Sequence, residues 1–240
     1  MYIDQVVIEI TRRCNMKCPH CLRGEPESKD ITDRILDRFF LKIRGDRLGS
    51  ITITGGEPSL APSRIKEITR LAKLYRVDID YFYLVTNGKK TPYAFLESLV
   101  ELYDYCQEKD MSSVVVSNDR YHEDVPAYNN RLDGYPFFKG KRGTDRWSIN
   151  DSMLIKQGRA QRIGSRDLHM DTFRIEDDIL ADSLFYLNVL GKVLAICDLS
   201  YESQRLKKYI LGDVFDPDFS LVSCAKSWNR KYSRLIKQAA

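Results

Sequence analysis

The sequence predicts an α/β fold of parallel βα units, and three observations carry that expectation. Strand-like apolar runs begin near residues 3, 50, 81 and 113, and the intervals between them hold apolar residues at helical spacing. The fourth run, Val114-Val115-Val116, shows no alternation, as a strand buried on both faces would. The first two strands run into polar loops, rich in Cys or Gly, at their carboxyl ends, where parallel β/α folds carry their chemistry.

Taken in order, residues 3–10 (Ile-Asp-Gln-Val-Val-Ile-Glu-Ile) form the first strand, with a mostly buried centre. Pro19 and the Gly24-Glu25-Pro26 turn keep the following loop out of regular structure. A helix is expected over about 32–44, because Ile35, Leu36, Phe39, Phe40 and Ile43 share one face. The second strand, 50–54, ends in Gly55-Gly56-Glu57-Pro58. Ser63 is the expected cap of a helix whose inner face holds Ile65, Ile68, Ala72 and Tyr75. Residues 81–86 form the third strand, closed by Asn87-Gly88. A third helix follows Pro92, with Phe95, Leu96, Leu99, Val100 and Tyr103 inward, and the fourth strand covers 113–117.

Periodicity is weaker beyond that point. A helix is expected near 123–132, and Met153-Leu154-Ile155 reads as a short fifth strand. Runs at 184–189 and 192–197 flank Leu190-Gly191 as a hairpin, and a basic helix closes the chain.

The chain has 240 residues, enough for one large α/β domain or one domain with a small appendage. Its 43% hydrophobic and 30% charged content is that of a globular protein. A net charge of +4 is only mildly basic and does not call for a nucleic-acid partner. The first residues enter a strand without a basic or apolar leader, and no window approaches the roughly 18 apolar residues of a membrane span. A cytoplasmic location without membrane association is therefore expected. Six cysteines in such a chain point to reduced thiols or metal ligands and not to a disulfide framework.

Three of the six lie in Cys14-Asn15-Met16-Lys17-Cys18-Pro19-His20-Cys21. Thiols at this spacing can surround one corner of a [4Fe–4S] cube, each holding one iron and leaving the fourth without a protein ligand. The competing reading is a zinc site of three cysteines and His20. His20 adjoins Cys21, however, so closing both side chains on one ion needs an awkward turn. Gly55-Gly56-Glu57-Pro58 offers exposed backbone and one carboxylate about thirty residues further on.

Together, the cysteine motif and the Gly-Gly-Glu-Pro turn resemble the radical S-adenosylmethionine (SAM) superfamily. The resemblance implies a partial (β/α)6 barrel, open on one side, over residues 1–183, with a short C-terminal extension over 184–240. It implies that Cys14, Cys18 and Cys21 hold a [4Fe–4S] cluster, that Gly55, Gly56 and Glu57 hold the amino end of SAM, and that His20 lies on the adenine side. Ser117 and Asn118, at the end of the fourth strand, stand where relatives place a polar residue on SAM; either could equally be a cap. Thr86-Asn87-Gly88 matches a strand ending common in the family, or is a plain Asn-Gly turn. No residue stands out as a catalytic base. The implied activity is reductive cleavage of SAM to a 5′-deoxyadenosyl radical that takes hydrogen from a substrate, with flavodoxin or ferredoxin as electron donor.

The hairpin and Leu211-Gly212-Asp213 resemble the start of a SPASM or twitch extension. Only Cys197 and Cys224 fall in its range, so it is expected to be truncated and without an auxiliary cluster. Both cysteines are expected as buried apolar residues, and Cys106 in the core or on the helix surface. Gly158-Arg159-Ala160 resembles a fifth-strand ending of the peptide-modifying members, with Arg159 otherwise a surface residue, the reading preferred here. The hairpin favours a peptide or protein substrate. A small-metabolite or RNA-modifying enzyme of the same family, and a non-catalytic Fe–S or zinc redox sensor, are the alternatives.

Overall fold

The computed structural model describes residues 1–117, 119, 121–122, 130–142, 153–170 and 172–239. The parallel core comprises β1 (Tyr2–Thr11), α1 (Asp33–Lys42), β2 (Arg47–Gly55), α2 (Pro62–Tyr75), β3 (Asp78–Thr86), α3 (Tyr93–Tyr105) and β4 (Ser113–Ser117). After it come β5 (Phe138–Arg142), β6 (Arg174–Glu176), β7 (Ile179–Leu187), β8 (Lys192–Leu194), β9 (Ile210–Asp213) and α4 (Leu221–Ala239). The described strands make one open sheet in the order β5-β4-β3-β2-β1-β7-β8-β9, with β6 paired to β7.

Six strands of this sheet run parallel, but the sixth is β7, and it lies beside β1 instead of beyond β5. The boundary expected at 183/184 therefore falls inside a strand of the main sheet. The predicted hairpin is present, with Tyr186 opposite Leu194 and Leu187 opposite Val193. Its first strand begins earlier than the sequence suggests, because β1 supplies a ladder from Ile179 onward.

Helix propensity and packing account for the core. The Thr32 hydroxyl caps α1 by accepting from the Ile35 amide at 3.3 Å. Ser63 does not cap α2; the helix begins one residue earlier at Pro62, whose fixed φ and missing N–H suit a first helical position. Ile35, Leu36, Phe39 and Phe40 of α1 and Ile65, Ile68, Leu71 and Ala72 of α2 join one core with Val6, Ile8 and Ile10 of β1. The opposite face of β1 contributes Val7 to a smaller core with Tyr186, Leu194, Ile196, Leu199 and Tyr209. Both faces of β1 are thus covered. β4 differs from its expectation: Val114 and Val116 are buried while Val115 is only half-buried.

The fifth strand is a second correction. It is Phe138–Arg142, parallel to β4, and 153–155 is not a strand; Ile155 makes only an isolated bridge to Arg166. Phe-Lys-Gly-Lys-Arg carries no apolar period, so an edge strand held by its backbone ladder left no pattern to read. Of the helix expected near 123–132, residues 123–129 lie outside the described residues, and Asn130–Leu132 is one 3₁₀ turn. No helix among the described residues is long and apolar enough to cross a membrane.

The end of β1 is held by a buried polar network. Glu9 and Arg12 are both fully buried, and Arg12 Nε donates to Glu9 Oε1 at 2.7 Å. The Arg12 guanidinium also donates to Glu27 at 3.0 Å and to Gln204 Oε1 at 2.6 Å. Glu9 Oε2 accepts from the Tyr186 hydroxyl at 2.6 Å and from Gln204 Nε2 at 2.9 Å. Truncating one member of such a pair leaves an uncompensated buried charge, at a cost of about 3–5 kcal/mol. Arg12→Ala should therefore lower the urea unfolding free energy by about that amount. A loss below about 1 kcal/mol, the scale of a surface pair, would contradict the network's role.

Candidate cofactor site at the carboxyl ends of the strands

The loop after β1 leaves the sheet and returns along its own path. Thr11 bridges Asp30 in antiparallel fashion, the Ile31 amide donates to the Ile10 carbonyl, and the Glu27 amide to that of Arg12. Arg13 closes the base by donating to both Asp30 carboxylate oxygens, at 2.8 and 2.7 Å. Residues 14–26 are thereby held as a loop over the carboxyl ends of β1, β2 and β3.

Cys14, Cys18 and Cys21 are free thiols lining one cavity of about 200 Å³, with Gly55, Gly56, Glu57, Thr86, Asn87, Ser117, His20, His122 and Arg159 among its other walls. Every expected site residue that the structure describes therefore faces the same space. Asn118 lies outside the described residues. The donor set fits the cluster: three thiols converge there, and none of the other three cysteines lines the cavity. Burial pushes the Cys14 thiol up from its ordinary value.

Gly55 and Gly56 bring the end of β2 against the start of the cysteine loop. A Cβ at Gly55 would run into the Thr11 carbonyl oxygen, and one at Gly56 into that of Arg13. The Gly56 and Glu57 amides donate to those two carbonyls, each at 2.8 Å. The backbone contact requires glycine with no ligand present.

Glu57 is fully buried, and its carboxylate faces protein donors. It accepts from the Thr86 hydroxyl at 2.6 Å, the Asn87 amide at 2.8 Å and the Ser59 amide at 3.0 Å. Burial pushes its carboxyl up, and these hydrogen bonds pull the other way. Thr86-Asn87-Gly88 thus joins β3 to the Gly-Gly-Glu turn. Asn87 Nδ2 reaches further, donating to Asn15 Oδ1 in the cysteine loop at 2.8 Å.

Arg159 overturns its expectation as a surface residue. Its Nε donates to the Cys18 carbonyl at 2.9 Å and its amide to the Cys21 carbonyl at 3.0 Å. Gly158, at φ +54°, packs so closely that a Cβ would strike the Leu22 carbonyl. Gly158-Arg159 stands out in the sequence, but its target lies some 140 residues away. His20 turns toward the end of β4. Its ring sits 5.1 Å from Tyr121 and 4.7 Å from His122, and burial pulls it down to about 4, against the charge of Asp119.

Cys224 is buried as expected, Cys106 lies in the core and not on the surface, and Cys197 is half-buried beside Asp198.

An open parallel α/β sheet with a three-thiol site at its strand ends defines the class of protein. The profile described as "Radical SAM superfamily" matches residues 8–135, more than half of the chain. The chain belongs to the radical SAM superfamily, enzymes that use a [4Fe–4S] cluster and SAM. It is 33% identical over 88 residues to GTP 3′,8-cyclase of Chlorobaculum tepidum, covering 36% of this chain and 26% of that protein. Likewise it is 33% identical over 91 residues to GTP 3′,8-cyclase of Nautilia profundicola, covering 36% and 28%. The match spans about a quarter of the length of these relatives. Among solved structures, anSMEcpe with bound AdoMet and Cp18Cys peptide has a TM-score of 0.56 at 14% identity, over 96% of this chain and 82% of that one. BtrN in an open conformation has a TM-score of 0.51 at 16% identity, over 95% and 84%. These two likenesses concern the fold.

If Arg159 positions the loop, Arg159→Ala should retain less iron through anaerobic gel filtration while its unfolding midpoint moves little. Arg159→Lys should recover only part, since an ammonium lacks the planar fork. Equal iron retention in wild type and Arg159→Ala would remove Arg159 from this role.

Proposed function

We propose that this chain cleaves SAM reductively at a [4Fe–4S] cluster held by Cys14, Cys18 and Cys21, and acts on a peptide or protein. The observation that carries the reading is the convergence of those thiols and Gly55-Gly56-Glu57 on one cavity. When bound, the reduced cluster and SAM together supply a 5′-deoxyadenosyl radical and methionine, and the radical takes a hydrogen atom from the substrate.

The chain's own residues position and shield. Cys14, Cys18 and Cys21 would hold the cluster as thiolates. Gly55, Gly56 and Glu57 hold the amino end of SAM through backbone atoms, since the Glu57 carboxylate is spent on Thr86, Asn87 and Ser59. His20 lines the adenine side, and Ser117 reaches SAM from the end of β4. Arg159 and Asn87 keep the cysteine loop in place. A flavodoxin or ferredoxin supplies the electron.

The peptide or protein substrate is supported by the β7–β8 hairpin, read as a truncated SPASM or twitch extension without its own cluster, and by the likeness to anSMEcpe with its bound peptide. A nucleotide-like small metabolite is the second reading, favoured by the identity to GTP 3′,8-cyclases.

Anaerobic reconstitution with iron and sulfide should give about four irons per chain. Addition of SAM and dithionite should release 5′-deoxyadenosine. Cys18→Ala should abolish both while the chain stays folded by circular dichroism. Stoichiometric zinc on the cysteines, with no iron and no 5′-deoxyadenosine, would overturn the reading in favour of a zinc module. Cys197→Ser should leave iron unchanged; losing about half of it would reveal a second cluster.

A further inference from the structure

We propose that His20, Asp119 and His122 form a second metal site, for one divalent cation of the zinc class, on the wall of the same cavity. One donor atom from each residue lies within 4.8 Å of the other two. His122 Nδ1 stands 2.8 Å from Asp119 Oδ1, and His20 Nε2 stands 3.7 Å from Asp119 Oδ2.

The donor atoms are close enough to converge on one ion, with the His122–Asp119 pair, now at ion-pair distance, opening slightly to admit it. Despite its short distance to Asp119, His122 Nδ1 is buried and misaligned for a hydrogen bond, and His20 Nδ1 is buried without any partner. A buried polar atom left unpaired costs about 1–3 kcal/mol. A cation accepting lone pairs from the imidazoles and the carboxylate removes the mismatch at His122 and Asp119, because no N–H then has to point at the carboxylate. Two segments deliver the ligands. Asp119 and His122 share one turn, in which the His122 amide donates to the Asp119 carbonyl at 3.1 Å and the Tyr121 amide to Asp119 Oδ1 at 2.9 Å. His20 comes from the cysteine loop.

Two imidazoles and one carboxylate suit zinc and neighbouring first-row divalent ions. Three protein ligands leave a coordination position open, as in catalytic zinc sites and unlike closed structural ones. His20 and His122 line the cavity that the three cysteines line, so the open position serves a Lewis-basic group of the substrate. His20 can present its ring face to adenine while a ring nitrogen ligates.

The site does not depend on the cluster, and the test separates the two. Co²⁺, a spectroscopic stand-in for zinc, is added to cluster-loaded protein freed of loose metal, and bound cobalt and iron are counted by elemental analysis. One cobalt per chain beyond the cluster iron is expected, with visible d–d bands and a raised Tm. Asp119→Asn and His122→Gln should each weaken cobalt binding more than about tenfold while cluster iron stays constant. A Cys14→Ala/Cys18→Ala/Cys21→Ala variant should still bind cobalt. No cobalt bound, or binding that survives both Asp119→Asn and His122→Gln, or binding lost only in the triple cysteine variant, would overturn the proposal.

Discussion

The buried pair of Glu9 and Arg12 fixes the relation between the sheet and everything built on it. Arg12 stands two residues before Cys14, so its position sets where the cysteine loop leaves β1. Its guanidinium also holds Glu27 on the returning limb of the loop. Glu9 receives Tyr186 from β7, the Val189 amide and Gln204. One ion pair, with its hydrogen bonds satisfied on both sides, therefore ties loop, central strand and C-terminal hairpin together. A charge pair at this depth is tolerated because its partners compensate desolvation. Its return is specificity of arrangement: few geometries satisfy so many donors and acceptors at once.

Around that anchor the motif residues hold one another in place. Gly55 and Gly56 let β2 touch the backbone of Thr11 and Arg13. Glu57 gathers Thr86 at the end of β3 and Asn87 just after it, and Asn87 reaches Asn15. Arg159 takes the carbonyls of Cys18 and Cys21 from the opposite side. The loop that carries the thiols is thus supported at its base by Gly56 and Glu57, at the Asn15 side chain by Asn87, and at its own carbonyls by Arg159. Thiols held this way are preorganised for the proposed role as ligands.

The placement of β7 matters as much. Inserted beside β1, it makes β1 a central strand, covered on both faces, and brings the hairpin and 200–204 against the base of the cysteine loop. Arg23 donates to the carbonyls of Cys197 and Leu199, at 2.5 and 2.7 Å. The C-terminal segment is in this way part of the support of the loop.

Local pattern determined a good deal. The four leading parallel strands, the three crossover helices and the hairpin were legible because each depends on short-range periodicity and turn chemistry. The three thiols and the Gly-Gly-Glu-Pro turn were legible because their spacing is local. What the sequence could not determine is what depends on residues far apart in it: the sheet position of β7, the patternless edge strand β5, the clamp of Arg159 and the gathering of His20 with Asp119 and His122. Only the tertiary structure decided these, because hydrogen bonds and ligand geometry act between residues tens to nearly two hundred positions apart, and composition along the chain carries no record of such meetings.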